Sequence, residues 1–178
     1  MEADDTPSTN KTSALSIIAI AMSMGALFVS VLEVSAIRDD QRIQVWPYIG
    51  VYTNYSEDGF RLHAINKGIG PARVQTLKMF YDGEHVTDID QLILNTLGEK
   101  DAFSYDLYRS SNISRSVMSA DEDKTLFGVP WEPRTRRLID DWATKVDVVV
   151  CYCSVYDDCW ESRLNTGEPT EVSSCPVQ

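Results

Sequence analysis

Histidine is scarce in this chain, with two among 178 residues, and His63 and His85 stand in no ligand or triad pattern. The sequence contains no G-x-S-x-G, H-E-x-x-H, P-loop or G-x-G-x-x-G. Their absence removes the usual signatures of hydrolases, zinc peptidases and nucleotide-binding enzymes, and both histidines read as structural. Basic residues are outnumbered, 16 Lys and Arg against 27 Asp and Glu, for a net charge of -11. That balance excludes a phosphate-gripping face, so nucleic acid is not an expected partner. It also disfavours adhesion of the surface to anionic lipid. No C-x-x-C occurs among the four cysteines, which argues against a thioredoxin-like centre. No calcium-loop spacing occurs either, and the acidic runs at 121–123, 140–141 and 157–158 read as solvated loops. No catalytic, cofactor-binding or metal-ligating set emerges, and the chain is read as non-enzymatic with no cofactor.

One long apolar run is present. Charge is missing from Thr12 to Leu32, and the 19 residues from Ala14 to Leu32 span about 28 Å as a helix. A bilayer's hydrocarbon core is about 30 Å thick. The run exceeds the roughly 7–15 residues of a signal-peptide core, and the preceding tail carries three acids and one lysine. The reading is an uncleaved single-pass anchor: polar tail 1–12, transmembrane helix 13–37, and one soluble domain 38–178. Within the helix, Thr12, Ser16, Ala19, Ser23, Ala26, Ser30 and Glu33 repeat at alternating spacings of four and three. Small residues on one seam let helix backbones approach, and a carboxylate on that seam favours a protein neighbour over lipid. The expected partners are therefore the membrane and either a second copy of the chain or another membrane protein.

The remainder is mostly strand-like. Arg42–Tyr52 is rich in β-branched and aromatic residues, with Pro47 marking an edge or bulge. Phe60–Asn66 alternates, with Phe60, Leu62 and Ala64 on one face and His63 on the other. Asp82-Gly83 between two strand-like runs signals a hairpin. Residues 88–97 read as a short helix capped by Asp88, and residues 132–145 as a second with Leu138, Ile139 and Trp142 facing inward. In that second helix, the basic stretch Arg134–Arg137 is expected to pair with Asp140 and Asp141 one turn on. Residues 145–156 form an apolar strand fit for the middle of a sheet. The fold class is mainly β, one immunoglobulin-like β-sandwich with two short helices; an α+β arrangement is the alternative.

Between two strands, Asn66, Gly68, Gly70, Pro71 and Ala72 spell N-x-G-x-G-P-A. Read physically, this is a structural turn, with glycines free to adopt positive φ, Pro71 fixing its own φ, and Asn66 bonding turn backbone. The motif resembles the turn of small bacterial single-pass membrane-anchored β-sandwich proteins of unknown function. The stretch VWPYI at 45–49 and the cysteine-bearing strand are similar too. The resemblance implies a fold and a membrane anchor, and nothing catalytic.

Cys151 and Cys153 are two apart on one strand, so they share a face with Cα atoms about 6.5–7 Å apart, too far for a relaxed mutual disulfide. The preferred pairing is Cys153 with Cys159 across the hairpin and Cys151 with Cys175. A two-residue loop at Asp157-Asp158 would put Cys159 on the wrong face, so the first bond requires an odd-length loop or a bulge. Disulfides place the domain outside the cytoplasm, against a weak charge bias of Lys11 versus Arg38 and Arg42 the other way. Two other readings stay open: a membrane-tethered enzyme with an unrecognised site, and a zinc-stapled cytoplasmic domain of a membrane complex.

Overall fold

The computed structural model describes residues 9–57, 59–97, 109–110, 112–130, 133, 135–164 and 166–176. The chain divides into two compact units, one ending at Ile43 and one running from Gln44. The first unit is a single helix, α1 (Thr9–Gln44). Its side chains are exposed from Ala14 onward, including Leu15, Ile17, Met22, Leu27, Phe28 and Leu32. Among the described residues it is the one helix long and apolar enough to cross a membrane. The helix extends seven residues beyond the sequence-based boundary of 37. Arg38–Gln44 contains no glycine or proline and consists mainly of good helix formers, so nothing stops it there. It ends just ahead of Pro47, which disfavours helical backbone at Trp46. Arg42–Gln44, expected as strand, is therefore helix.

Among the described residues the second unit is a mainly β domain of two antiparallel sheets with two short helices. Sheet A contains β1 (Ile49–Ser56), β2 (Gly59–Asn66), β7 (Asp123–Val129) and β5 (Arg109–Ser110), in the order β1-β2-β7-β5. Sheet B contains β3 (Ala72–Tyr81), β4 (Glu84–Val86), β8 (Val146–Cys153), β9 (Cys159–Arg163) and β10 (Thr170–Val172), in the order β10-β9-β8-β3-β4. The short β6 (Ser116–Met118) adds to β3. Strand β1 is the edge that Pro47 foretells. Strand β8 is interior, and its apolar run is buried along almost all its length. β10 carries no apolar pattern of its own and is legible only through its pairing with β9.

Local chemistry sets the turns. The β3–β4 hairpin closes on two residues, with Asp82 at φ 52° and Gly83 at φ 84°. Both central residues are left-handed, as a type I′ turn requires. Helix α2 (Ile89–Leu97) starts where the Asp88 carboxylate accepts from the Gln91 amide at 2.7 Å. Leu92 of α2 is buried, whereas the Ile93, Leu97 and Leu138 side chains lie outside the described residues.

The core lies between the sheets. Ile49, Phe60, Leu62, Ala64 and Phe127 of sheet A meet Val74, Val148, Val150 and Tyr152 of sheet B. Helix α3 (Thr135–Lys145) contributes Trp142, whose ring stacks on Phe127 at 5.5 Å and meets Phe60 edge-on at 5.0 Å. Loss of that indole would cost about 3–5 kcal/mol by cavity formation. Arg134 and the Arg137 side chain fall outside the described residues. Asp141 binds Lys145 at 2.9 Å and accepts from the Tyr81 hydroxyl.

Candidate functional site

Even-numbered residues of β8 face the core, so Cys151 and Cys153 lie on the opposite, outer face of sheet B. The β8–β9 register places Cys153 directly across from Cys159. The connection is the five-residue loop 154–158, an odd length, with Asp157 at φ 66°. The Ser154 hydroxyl organises that loop, accepting from the amides of Tyr156 and Asp158. Cys153 and Cys159 form a disulfide with Cα atoms 4.0 Å apart. Cys151 bonds Cys175 with Cα atoms 5.7 Å apart, which draws the segment after β10 across the same face. The two bonds touch: Cys153 Sγ lies 3.8 Å from Cys175 Sγ. The sulfurs of Cys153, Cys159 and Cys175 fall within 4.8 Å of one another. That convergence suits a metal, but all four sulfurs are joined in disulfides here, and a disulfide sulfur is not a thiolate ligand.

The N-x-G-x-G-P-A turn is built around Asn66, which is fully buried. Its Oδ1 accepts from the Tyr48 and Gly68 amides, each at 3.1 Å. Its Nδ2 donates to the carbonyls of Gly70, Met118 and Ser119 at 2.8–3.1 Å. One amide thereby ties β6 and the 67–70 loop to the segment 45–48. Backbone bonds complete the clasp, from Lys67 N to Tyr48 O at 2.7 Å and from Ile69 N to Trp46 O at 3.1 Å. The glycines serve a purpose other than the expected positive φ, which neither adopts. A Cβ on Gly68 would sit 2.4 Å from Trp46 O, and one on Gly70 would sit 1.9 Å from Val45 O. Close approach of two backbones, and no left-handed bend, requires glycine there. Pro71 follows directly and leads into β3.

On α1, the seam residues Ser16, Ala19, Ser23, Ala26, Ser30 and Glu33 are all exposed; the Thr12 side chain lies outside the described residues. Ser23 Oγ donates to Ala19 O at 2.8 Å, one turn back, so its proton is satisfied within the helix. Ala19 and Ser23 leave a shallow, open depression on the helix surface between Ile20, Met24 and Leu27.

The structure also assembles a group that strand alternation did not reveal. His63 and Tyr52 are cross-strand partners on β2 and β1, with rings stacked at 5.3 Å. Asp123, the first residue of β7, binds His63 Nδ1 at 2.8 Å and accepts from the Tyr52 hydroxyl at 3.0 Å. Burial, and then the Asp123 carboxylate, push the Tyr52 phenol above its ordinary range. His63 occupies the outer face as expected but is 9% exposed, since Tyr52 covers it. His85 is exposed on β4 in the other sheet, so the two histidines are not brought together. The acidic run 121–123 is likewise more than a solvated loop: Glu122 accepts from the Ser119 amide and pairs with Lys124, and these contacts hold its carboxyl low. At 157–158, Asp157 pairs with Arg73.

A crevice of about 220 Å³ opens between the sheets, lined by Leu62, Leu77, Met79, Leu126 and Val148 with Thr87 and Asp88. It holds neither histidine, and Asp88 is already the cap of α2. Comparison with protein-family models, curated proteins and solved structures finds no match.

Proposed function

We propose that this chain is a single-pass membrane protein whose β domain stands outside the cytoplasm and acts by binding, without catalysis. One observation carries the reading. A helix with an apolar, fully exposed span, Ala14–Gln44, is joined to a sandwich stapled by two disulfides. Exposed leucine, isoleucine and phenylalanine along such a length need lipid or protein around them. Paired cysteines persist in oxidising compartments, which supports a position for the domain on the far side of the membrane.

The helix docks through the seam from Ser16 to Glu33, on a second copy of the chain or on another membrane protein. The depression at Ala19 and Ser23 lets a partner helix approach closely, and Glu33, further along the seam, finds a polar group on that partner. Since Ser23 already bonds its own helix, its small size matters more than its hydroxyl.

Labelling intact cells with a membrane-impermeant thiol reagent tests the placement. The expected result is labelling of all four cysteines only after reduction, without permeabilisation. Labelling that instead requires permeabilisation and no reductant would overturn it. For the seam, Ser23→Leu should abolish association in a membrane two-hybrid assay while Ser23→Ala preserves it. Equal association of both variants would leave a plain anchor.

A further inference from the structure

The sulfur atoms of the two disulfides are near van der Waals contact, and the four cysteines differ in access. Cys151, Cys153 and Cys159 are 1%, 5% and 6% exposed, whereas Cys175 is only partly buried. We propose that these four residues form a thiol–disulfide exchange site that takes two electrons from a dithiol at Cys175 and ends with Cys151 and Cys159 as thiols. The inference concerns chemistry at the sandwich surface and does not depend on the membrane reading.

The steps follow from access and distance. A thiolate of an external dithiol attacks Cys175 Sγ, which is carried by a partly exposed residue between exposed Ser174 and Pro176. A bond forms between that thiolate and Cys175, the Cys151–Cys175 bond breaks, and the electron pair stays on Cys151. The dithiol's second thiolate then attacks its own sulfur in the mixed disulfide, closing an oxidised partner and releasing Cys175 as a thiolate. That thiolate lies 3.8 Å from Cys153 Sγ. Closing to a bond length of about 2.05 Å needs a movement below 2 Å. As Cys175 bonds Cys153, the Cys153–Cys159 bond breaks and the pair leaves on Cys159, which takes a proton from water. The balance is one dithiol oxidised, Cys151 and Cys159 reduced to thiols, and a new Cys153–Cys175 bond. Cys151 and Cys153 project from the same face of β8, so the segment carrying Cys175 remains tethered to β8 before and after. Loosening falls instead on the β8–β9 hairpin.

The full chain in detergent micelles provides the test. One equivalent of dithiothreitol is added, the reaction is quenched with acid, free thiols are alkylated, and the linkages are mapped by mass spectrometry. The expected product carries alkylated Cys151 and Cys159 with a Cys153–Cys175 linkage. Alkylation confined to Cys151 and Cys175, with Cys153–Cys159 intact, overturns the proposal. Cys159→Ser is the second arm, because it leaves Cys153 free beside Cys175. Linkages Cys151–Cys175 and Cys153–Cys175 should then coexist within about tenfold of one another. A single Cys151–Cys175 linkage with Cys153 fully alkylated overturns the exchange.

Discussion

Replacing Asn66 with alanine should detach three segments at once. The side chain makes five contacts at 2.8–3.1 Å, two accepted by Oδ1 and three shared by the two protons of Nδ2, one of them bifurcated. Each contributes roughly 0.5–1.5 kcal/mol net, and a buried group left unpaired costs about 1–3 kcal/mol. Water entering the vacated space repairs some of these, so a loss of about 3–5 kcal/mol is expected. A domain of this size is stable by about 5–15 kcal/mol. The corresponding fall in Tm is about 10–20 °C. Near-UV circular dichroism of the full chain in micelles reads the domain separately from the helix. Asn66→Asp sharpens the test. It keeps the acceptor facing the Tyr48 and Gly68 amides but aims a second oxygen at three carbonyls. The aspartate variant should therefore be no more stable than the alanine variant. A fall of less than about 4 °C for Asn66→Ala, or clear superiority of Asn66→Asp, would refute the idea that this amide holds the clasp.

Gly70→Ala should destabilise by about 3 kcal/mol or more, since its Cβ meets the Val45 carbonyl at 1.9 Å, whereas Gly50→Ala, whose nearest neighbour is 3.6 Å away, should be close to neutral in the same melts. Asp88→Ala removes the cap of α2 and should cost about 0.5–2 kcal/mol by urea titration, with Asp88→Asn largely restoring stability. Burial pushes the Tyr152 phenol above its ordinary range, so folding disfavours its ionised form. Its contribution is intact below about pH 10, the unfolded value, and is lost as pH rises from there toward the folded value, by up to about 1.4 kcal/mol per pH unit. Tyr152→Phe should flatten that alkaline limb in unfolding free energies measured between about pH 9 and 11.

Features set by neighbours in sequence were the legible ones. The apolar run, the Asp82-Gly83 hairpin, the Asp88 cap and the interior strand β8 each rest on a pattern a few residues long. The cysteine pairing was legible because strand alternation forbids Cys151–Cys153 and demands an odd loop, and the loop 154–158 is odd. What escaped was decided at long range or by a competing rule. Residues 42–44 look β-prone only when read together with Val45–Tyr52; on their own they continue a helix already nucleated. The purpose of Gly68 and Gly70 depends on where Val45 and Trp46 return, which no local signal specifies. His63 meets Asp123 across 60 positions, and an acid at the start of a strand looks like any loop acid until the sheet is assembled.

The central position of β8 has a consequence for synthesis. Sheet B cannot form around β3 until β8 arrives, and Ser162 on β9 reaches back 113 positions to the Ile49 carbonyl. A ribosome adds about 5–20 residues per second, so the inner faces of β1, β2 and β3 stay uncovered for several seconds after α1 has emerged. The nascent domain is thus an open half-sandwich beside a completed apolar helix, the form most prone to wrong pairings, and a holding chaperone has its window there. Loop length also separates the two oxidations: Cys153 and Cys159 are six residues apart and face each other once the hairpin forms, whereas Cys151 and Cys175 must close over 24 residues.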